Sequence, residues 1–316
     1  AGAMLASCDS YLDRQPDEPL TSDNIFKKQK TTLQYLTNIY SYQPDYEAPA
    51  CVSNSNDIPW EASSDETSFA YLDRAYTQIN YNSWNPSINI YRDDTYNTPY
   101  KGIREANYFM QHVHECPELT DTDKGYYYNE ARFLRAHFYA MMLSVYGPVF
   151  LIGDDPVDFT QSGLDQRERN TWDECVSYVA NELWEAAKGL PDSWPDIYYG
   201  RATKGAALAA RARLLLYSAR KLFNGNELYK GIVNRNGDHL FPTQYDEKKW
   251  ELAAQAAKDV MNLNLYSLVG ADGTDPYASF NTLFTSVGSG TGATEKIYTR
   301  IASGYQWRIV TTPPSV

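Results

Sequence analysis

At 316 residues and 43% hydrophobic side chains, the chain can bury a core large enough for one large domain or two ordinary ones. A formal net charge of −12 repels phosphate backbones and anionic lipid heads, which argues against a nucleic-acid partner and leaves any membrane association to an anchor. Four cysteines (Cys8, Cys51, Cys116, Cys175) are too sparse for a disulfide scaffold and match no zinc spacing, and no apolar run reaches the length that spans a bilayer.

In chain order, "MLASC" at Met4–Cys8 has the pattern of a lipoprotein cleavage box: an apolar residue, small residues, then the cysteine that would be acylated. Residues 1–20 therefore read as a tether and Cys8 as its lipidation site. Thr21 or Ser22 opens a first helix running to about Tyr42, and Pro99 to about Glu115 forms a second. Between them, residues 43–98 are rich in Asn, Ser, Asp, Tyr and Trp and lack helical periodicity, the pattern of a long loop-rich insertion.

The third helix starts near Asp121 behind Thr120. Ala131, Leu134, Phe138, Met141, Met142 and Val145 recur on one stripe, leaving Glu130, Arg132 and Arg135 available to face water. Gly147-Pro148 stops it, and the extended apolar run Val149–Ile152 follows at once. A capping box, Thr171-Trp172-Asp173-Glu174, opens the fourth helix. Thr203 opens the fifth, whose Gly205, Ala209, Ala212 and Leu216 offer small side chains for close helix contact, and Asn224-Gly225 ends it. The sixth runs from about Asp246 to Asn264, with Trp250, Ala253, Ala254, Ala257, Val260 and Met261 inward. Residues 266–316 change to Gly/Thr/Ser punctuation with a strand-like run at Lys296–Ile301. Long single-stripe helices over 21–265 predict an all-α fold of stacked helical hairpins with almost no sheet.

Catalytic patterns are missing from the sequence: there is no Gly-x-Ser-x-Gly elbow, no His-Glu-x-x-His pair and no P-loop, and the glycine run Gly288/Gly290/Gly292 precedes a strand-like segment rather than a helix. No metal or cofactor site is expected. His112 and His114 sit two apart and point to different sides of a helix, and Asp272 and Asp275 read as a solvated turn more readily than as a calcium loop. The twenty-seven tyrosines and seven tryptophans instead suit a binding surface. A sugar ring stacks its C–H face on Trp or Tyr and needs Asn, Asp or Arg for its hydroxyl rim. "YNSWNPSINIYRDD" supplies both, with Tyr81, Trp84 and Tyr91 for stacking and Asn82, Asn85, Arg92 and Asp93 for hydrogen bonds. Trp84 reads equally as a plug seating the insertion on the helices. Tyr305, Trp307 and Arg308 repeat the recipe, Trp60 is a further candidate, and Trp172, Trp184 and Trp250 lie within helix patterns as core.

"NEARFLRAHFYAMMLSVYGPVFLI" (Asn129–Ile152) followed by "GRATKGAALAARARLLLYSARKLFNG" (Gly200–Gly225) resembles the paired hallmark segments of the SusD/RagB-like family, the outer-membrane nutrient-binding lipoproteins of Bacteroidetes. "YKGIREANYFM" (Tyr100–Met110) and the Cys8 start with "DSYLDRQP" resemble the same family. The resemblance implies tetratricopeptide-like helical hairpins with an irregular loop-rich subdomain. It also implies a non-enzymatic role: a surface lipoprotein of the outer membrane that captures glycan above a SusC-like TonB-dependent transporter. The helix-stop-strand run is then scaffold that turns the chain out of the stack. Family members continue past a "PPS" such as Pro313-Pro314-Ser315, so part of the C-terminal ligand site is expected to be missing here. An oligopeptide binder of the same architecture, or a structural helical-repeat adaptor, are the alternative readings.

Overall fold

The computed structural model of the chain describes residues 22–43, 64–65, 77–85, 93–154, 167–285 and 293–300. Cys8, Cys51, Trp60, Tyr91, Arg92, Tyr305, Trp307 and Arg308 lie outside the described residues. Among the described residues, besides the one-turn helix Thr77–Asn80, eight α-helices carry the fold: α1 (Ser22–Ile25), α2 (Gln29–Ser41), α3 (Thr98–His112), α4 (Asp121–Tyr146), α5 (Trp172–Gly189), α6 (Lys204–Ala219), α7 (Lys248–Met261) and α8 (Pro276–Thr285). From α3 to α7 each helix packs chiefly on its neighbours in sequence, the nearest-neighbour pattern of an α-hairpin stack. Among the described residues there is no strand, only an isolated bridge between Val233 and His239. Lys296–Arg300 is irregular, so the expected strand-like run does not form there.

Local chemistry sets the helix bounds. The Thr120 hydroxyl accepts from the Asp123 amide at 3.1 Å and starts α4. At Thr171 both halves of the capping box form, with Glu174 N–H donating to Oγ1 and Thr171 N–H donating to the Glu174 carboxylate at 2.8 Å. Thr203 accepts from Ala206 N–H at 3.2 Å to start α6. That helix ends at Ala219, earlier than Asn224-Gly225, because the chain then folds back on itself. Asn224 donates to the Asp246 carbonyl at 2.8 Å and accepts from the Asp246 amide at 2.9 Å. Gly225 (φ 75°) lies where a Cβ would meet the Tyr245 backbone nitrogen at 2.4 Å. The expected first helix is broken at 26–28. There Thr31 and Thr32 hydroxyls take the Ile25 carbonyl, and Phe26 turns inward against Tyr35, Phe109 and His112.

Four expectations about helix faces are overturned. Glu130 and Arg135 are buried (0% and 1% exposed) rather than facing water, because α4 is central and packs against α2, α3, α5 and α6. On α7, Trp250, Ala254, Ala257 and Met261 are exposed, while Ala253 and Ala256 are buried; its inner face touches α6, with an Arg211–Asp259 ion pair at 3.2 Å. Of the helix tryptophans only Trp172 is core, stacked on Phe223 at 4.3 Å with its N–H on Ser218. Trp184 and Trp250 are partly exposed (37% and 40%). On α6, Gly205 makes room for the Tyr266 side chain rather than for a helix, and Leu216 is exposed.

The run after Gly147 (φ 69°) needs no partner strand. Tyr100 OH accepts from Phe150 N–H at 3.1 Å and donates to Phe150 C=O at 2.9 Å. Tyr139 OH does the same for Ile152, at 2.8 and 3.1 Å. Asn170 accepts from Leu151 N–H and donates its own amide to Val149 C=O. Each hydroxyl stands in for one residue of a β-ladder, so the extended run is satisfied by side chains of α3 and α4.

Candidate functional site

The candidate loop begins at the one-turn helix Thr77–Asn80. Asn82 adopts φ 54°, a left-handed conformation that Asn tolerates, and its amide donates to Ile79 C=O at 3.1 Å. The amides of Ser83 and Trp84 both donate to Gln78 C=O, at 2.8 and 3.1 Å, and the Ser83 hydroxyl reaches the same oxygen. One carbonyl therefore gathers the loop and fixes the backbone under Trp84. Asn80 ties it to Ser64 C=O at 3.4 Å. With the backbone so braced, Tyr81 (61% exposed) and Trp84 (50%) present their rings outward, beside exposed Asn82 and Asn85. Trp84 is therefore half-covered by the chain and half-exposed, among polar neighbours.

The chain returns to the scaffold at Asp93–Asn97, a π-helical turn running into α3. Thr95 and Tyr146 share a hydrogen bond at 2.8 Å, and Tyr96 packs edge-on against Tyr100 and Tyr146. The loop thus re-enters at the end of the stack where α3 starts and α4 stops. Other sequence candidates have local roles. Asp272 accepts from the Thr274 amide and Asp275 from the Ala278 amide, so both carboxylates serve their own turn. His112 pairs with Glu115 at 2.8 Å and stacks on Phe26, whereas His114 lies beside Tyr128. Among the described residues no cluster of three metal-binding side chains occurs.

Two buried charge nodes, which helix periodicity does not reveal, tie distant segments of the scaffold together. In one, Arg135 donates to Asn107 at 2.7 Å, to Asp154 at 2.6 Å and to Glu182, while Arg132 holds Glu182 through two further hydrogen bonds. This joins α3, α4, α5 and the 153–154 segment. Burial raises the Glu182 carboxyl, but Arg132 and Arg135 outweigh it and hold it below the usual carboxylate range. In the other node, Arg201 grips Glu130 with two hydrogen bonds (2.8 and 2.5 Å), and Tyr40 OH donates to the same carboxylate at 2.6 Å. The guanidinium sits 4.5–5.0 Å from the rings of Tyr127, Trp194 and Tyr198. Here complete burial outweighs the single arginine and pushes Glu130 up to about 7. The signal in sequence was faint: charges flanking the stripe, and an aromatic-rich "SWPDIYYGR" ending in one Arg.

The SusD-like family model, described as "Starch-binding associating with outer membrane", matches residues 10–216. The chain belongs to the SusD-like family. Its fold is shared by a SusD-like protein from Bacteroides fragilis (TM-score 0.63, 23% identity, 85% of this chain and 44% of that one). A SusD homolog from Bacteroides thetaiotaomicron matches with TM-score 0.54 and 20% identity over 78% of this chain and 43% of its own. A laminarin-binding SusD-like protein matches with TM-score 0.52 and 18% identity, over 66% and 46%. This SusD-like chain thus spans less than half the length of these structures. No protein of curated function matched it. Among the described residues no helix is long and apolar enough to cross a membrane.

Proposed function

We propose that this SusD-like chain captures glycan at the bacterial surface through the Tyr81–Asn85 loop. The observation that carries the reading is the outward presentation of Tyr81 and Trp84 on a backbone closed onto a single carbonyl. Two aromatic faces give the apolar side of a sugar ring its platform, and Asn82 and Asn85 supply amide partners for the hydroxyl rim. Tyr91 and Arg92 extend the same segment, with Trp60, Tyr305, Trp307 and Arg308 as further contacts from outside the described residues. The family's starch-binding description and the laminarin-binding neighbour both support a glucan as ligand. On this reading the protein binds without catalysis, is held to the outer membrane by a lipid on Cys8, and hands its ligand to a SusC-like TonB-dependent transporter.

Titration calorimetry of the whole chain with maltoheptaose, laminarihexaose and neutral oligopeptides tests the reading. Saturable heat with a glucan and none with the peptides supports it; binding to peptides alone overturns it. For the tether, Cys8→Ser should leave the fold intact and move the protein to the soluble fraction. Continued sedimentation with outer membranes, in cells without the transporter, would contradict the lipid anchor.

A further inference from the structure

A second concavity lies on a different part of the stack, where the 231–243 loop crosses the start of α5. It is a pocket of about 240 Å³ lined by Thr171, Asp173, His239, Phe241, Pro242 and Thr243 with Leu240. The walls are fixed by the backbone. Trp172 N–H donates to Leu240 C=O at 2.8 Å, Leu240 N–H donates to Ile232 C=O at 2.9 Å, and Asn234 Nδ2 donates to Arg169 C=O at 2.8 Å. Phe241 is packed against Tyr229 at 4.7 Å and Trp172 at 5.9 Å, so its edge of the pocket is rigid.

The chemistry of the lining selects a ligand class. An anion finds only the Asp173 amide, beside that residue's own carboxylate, because the first-turn amides of Trp172 and Glu174 are already bonded, to Leu240 C=O and the Thr171 hydroxyl. A cation finds Asp173 already paired with Lys249 at 2.5 Å. What is left is neutral and polar. His239 Nδ1 lies 2.9 Å from the Lys230 carbonyl, which only accepts, so Nδ1 carries the proton and Nε2 is left for a ligand hydroxyl. The Asp173 carboxylate keeps Oδ2 for a hydroxyl while Lys249 holds Oδ1, and with the Thr243 hydroxyl the rim suits a ring of hydroxyls, with Pro242 and the edge of the largely buried Phe241 as its apolar side. At this volume, below the ~300 Å³ where pockets for larger ligands begin, the space suits one ring rather than a chain. Tyr245 and Trp250, both exposed and joined by an indole N–H to phenol bond at 2.9 Å, follow directly in sequence beyond Thr243 and Lys249.

We propose that this pocket is a second saccharide site, separate from the Trp84 loop, that takes a single neutral sugar ring; the choice of glucose units as probe rests on the glycan-binding reading above.

The test is a ¹H–¹⁵N TROSY titration of the full chain with methyl α- and β-D-glucopyranoside and with laminaritriose, on wild type, Trp84→Ala, Thr243→Val and Asp173→Asn. The expected result is saturable shifts at the amides of Thr171, Asp173, His239, Leu240, Phe241 and Thr243. They persist in Trp84→Ala and are lost in Thr243→Val and Asp173→Asn, with the remaining spectrum of each variant unchanged as proof of fold. Shifts confined to residues 81–85 overturn the second site and leave the loop reading standing. Shifts confined to the pocket uphold the second site while removing the loop. No shifts in either region, or pocket shifts that survive both pocket variants, overturn the second site.

Discussion

The helical stack and the 77–85 loop use the same residue types for opposite ends. In the stack, Tyr100 and Tyr139 spend their hydroxyls on the backbone of Phe150 and Ile152, and Tyr40 spends its own on Glu130. In the loop the backbone closes on Gln78 C=O without help from any ring, so Tyr81 and Trp84 stay outside. An aromatic residue is therefore a strut where the chain leaves polar backbone unpaired and a surface where the backbone closes itself. Composition alone cannot separate the two uses, because the same residue type serves both.

The comparison is broken most strongly from the scaffold side. Arg135→Ala removes a fully buried cation and leaves Glu182 with Arg132 alone and Asn107 without its donor. It should destabilise by about 3–5 kcal/mol, read as a shift of the urea midpoint at constant slope. Tyr139→Phe keeps the ring and deletes only the hydroxyl, orphaning Ile152 N–H and C=O. A cost of about 1–3 kcal/mol is expected by the same measurement, whereas Tyr81→Phe should be neutral within about 0.5 kcal/mol.

The two charge nodes should differ in the sign of their pH dependence. Glu182 has a folded pKa below its unfolded value, so its contribution is present above the ordinary carboxylate range and lost as pH falls through the lower, folded value. Glu130 is raised to about 7, so its contribution is present in acid and lost as pH rises from the ordinary carboxylate range through about 7. Urea midpoints between pH 3 and 8 should show the acid loss flattened in Glu182→Gln and the fall toward neutral pH flattened in Glu130→Gln. The same slope in Glu130→Gln as in wild type would remove the second half of this contrast.

Most of the stack was legible in sequence because its signals are local. The Thr120, Thr171 and Thr203 caps and the Gly147 stop each act within a few residues, and each marks the helix end it was expected to mark. What escaped is long-range. Whether Glu130 and Arg135 face water depends on α4 having neighbours on several sides, and Arg135 meets Glu182 only after residues far apart in sequence are brought together. The α7 face failed for a related reason: alanines fill both its inner and outer positions, so periodicity did not fix the rotation of the helix. In the loop, residue type is what proposes Tyr81, Trp84 and Asn85, while the gathering of Ser83 and Trp84 amides on one carbonyl has no sequence signature.

The smallest expected change in stability belongs to the residue with the largest expected role in binding, and that pairing is the central claim. Calorimetric titration of wild type and Trp84→Ala with the tighter of maltoheptaose and laminarihexaose, with thermal scans of the same samples, tests it most directly. The account predicts a loss of about 1–3 kcal/mol in binding, roughly 5- to 150-fold in Kd, with the melting temperature moved by no more than about 2 °C. Unchanged affinity together with a fall of many degrees would contradict it and make Trp84 part of the packing.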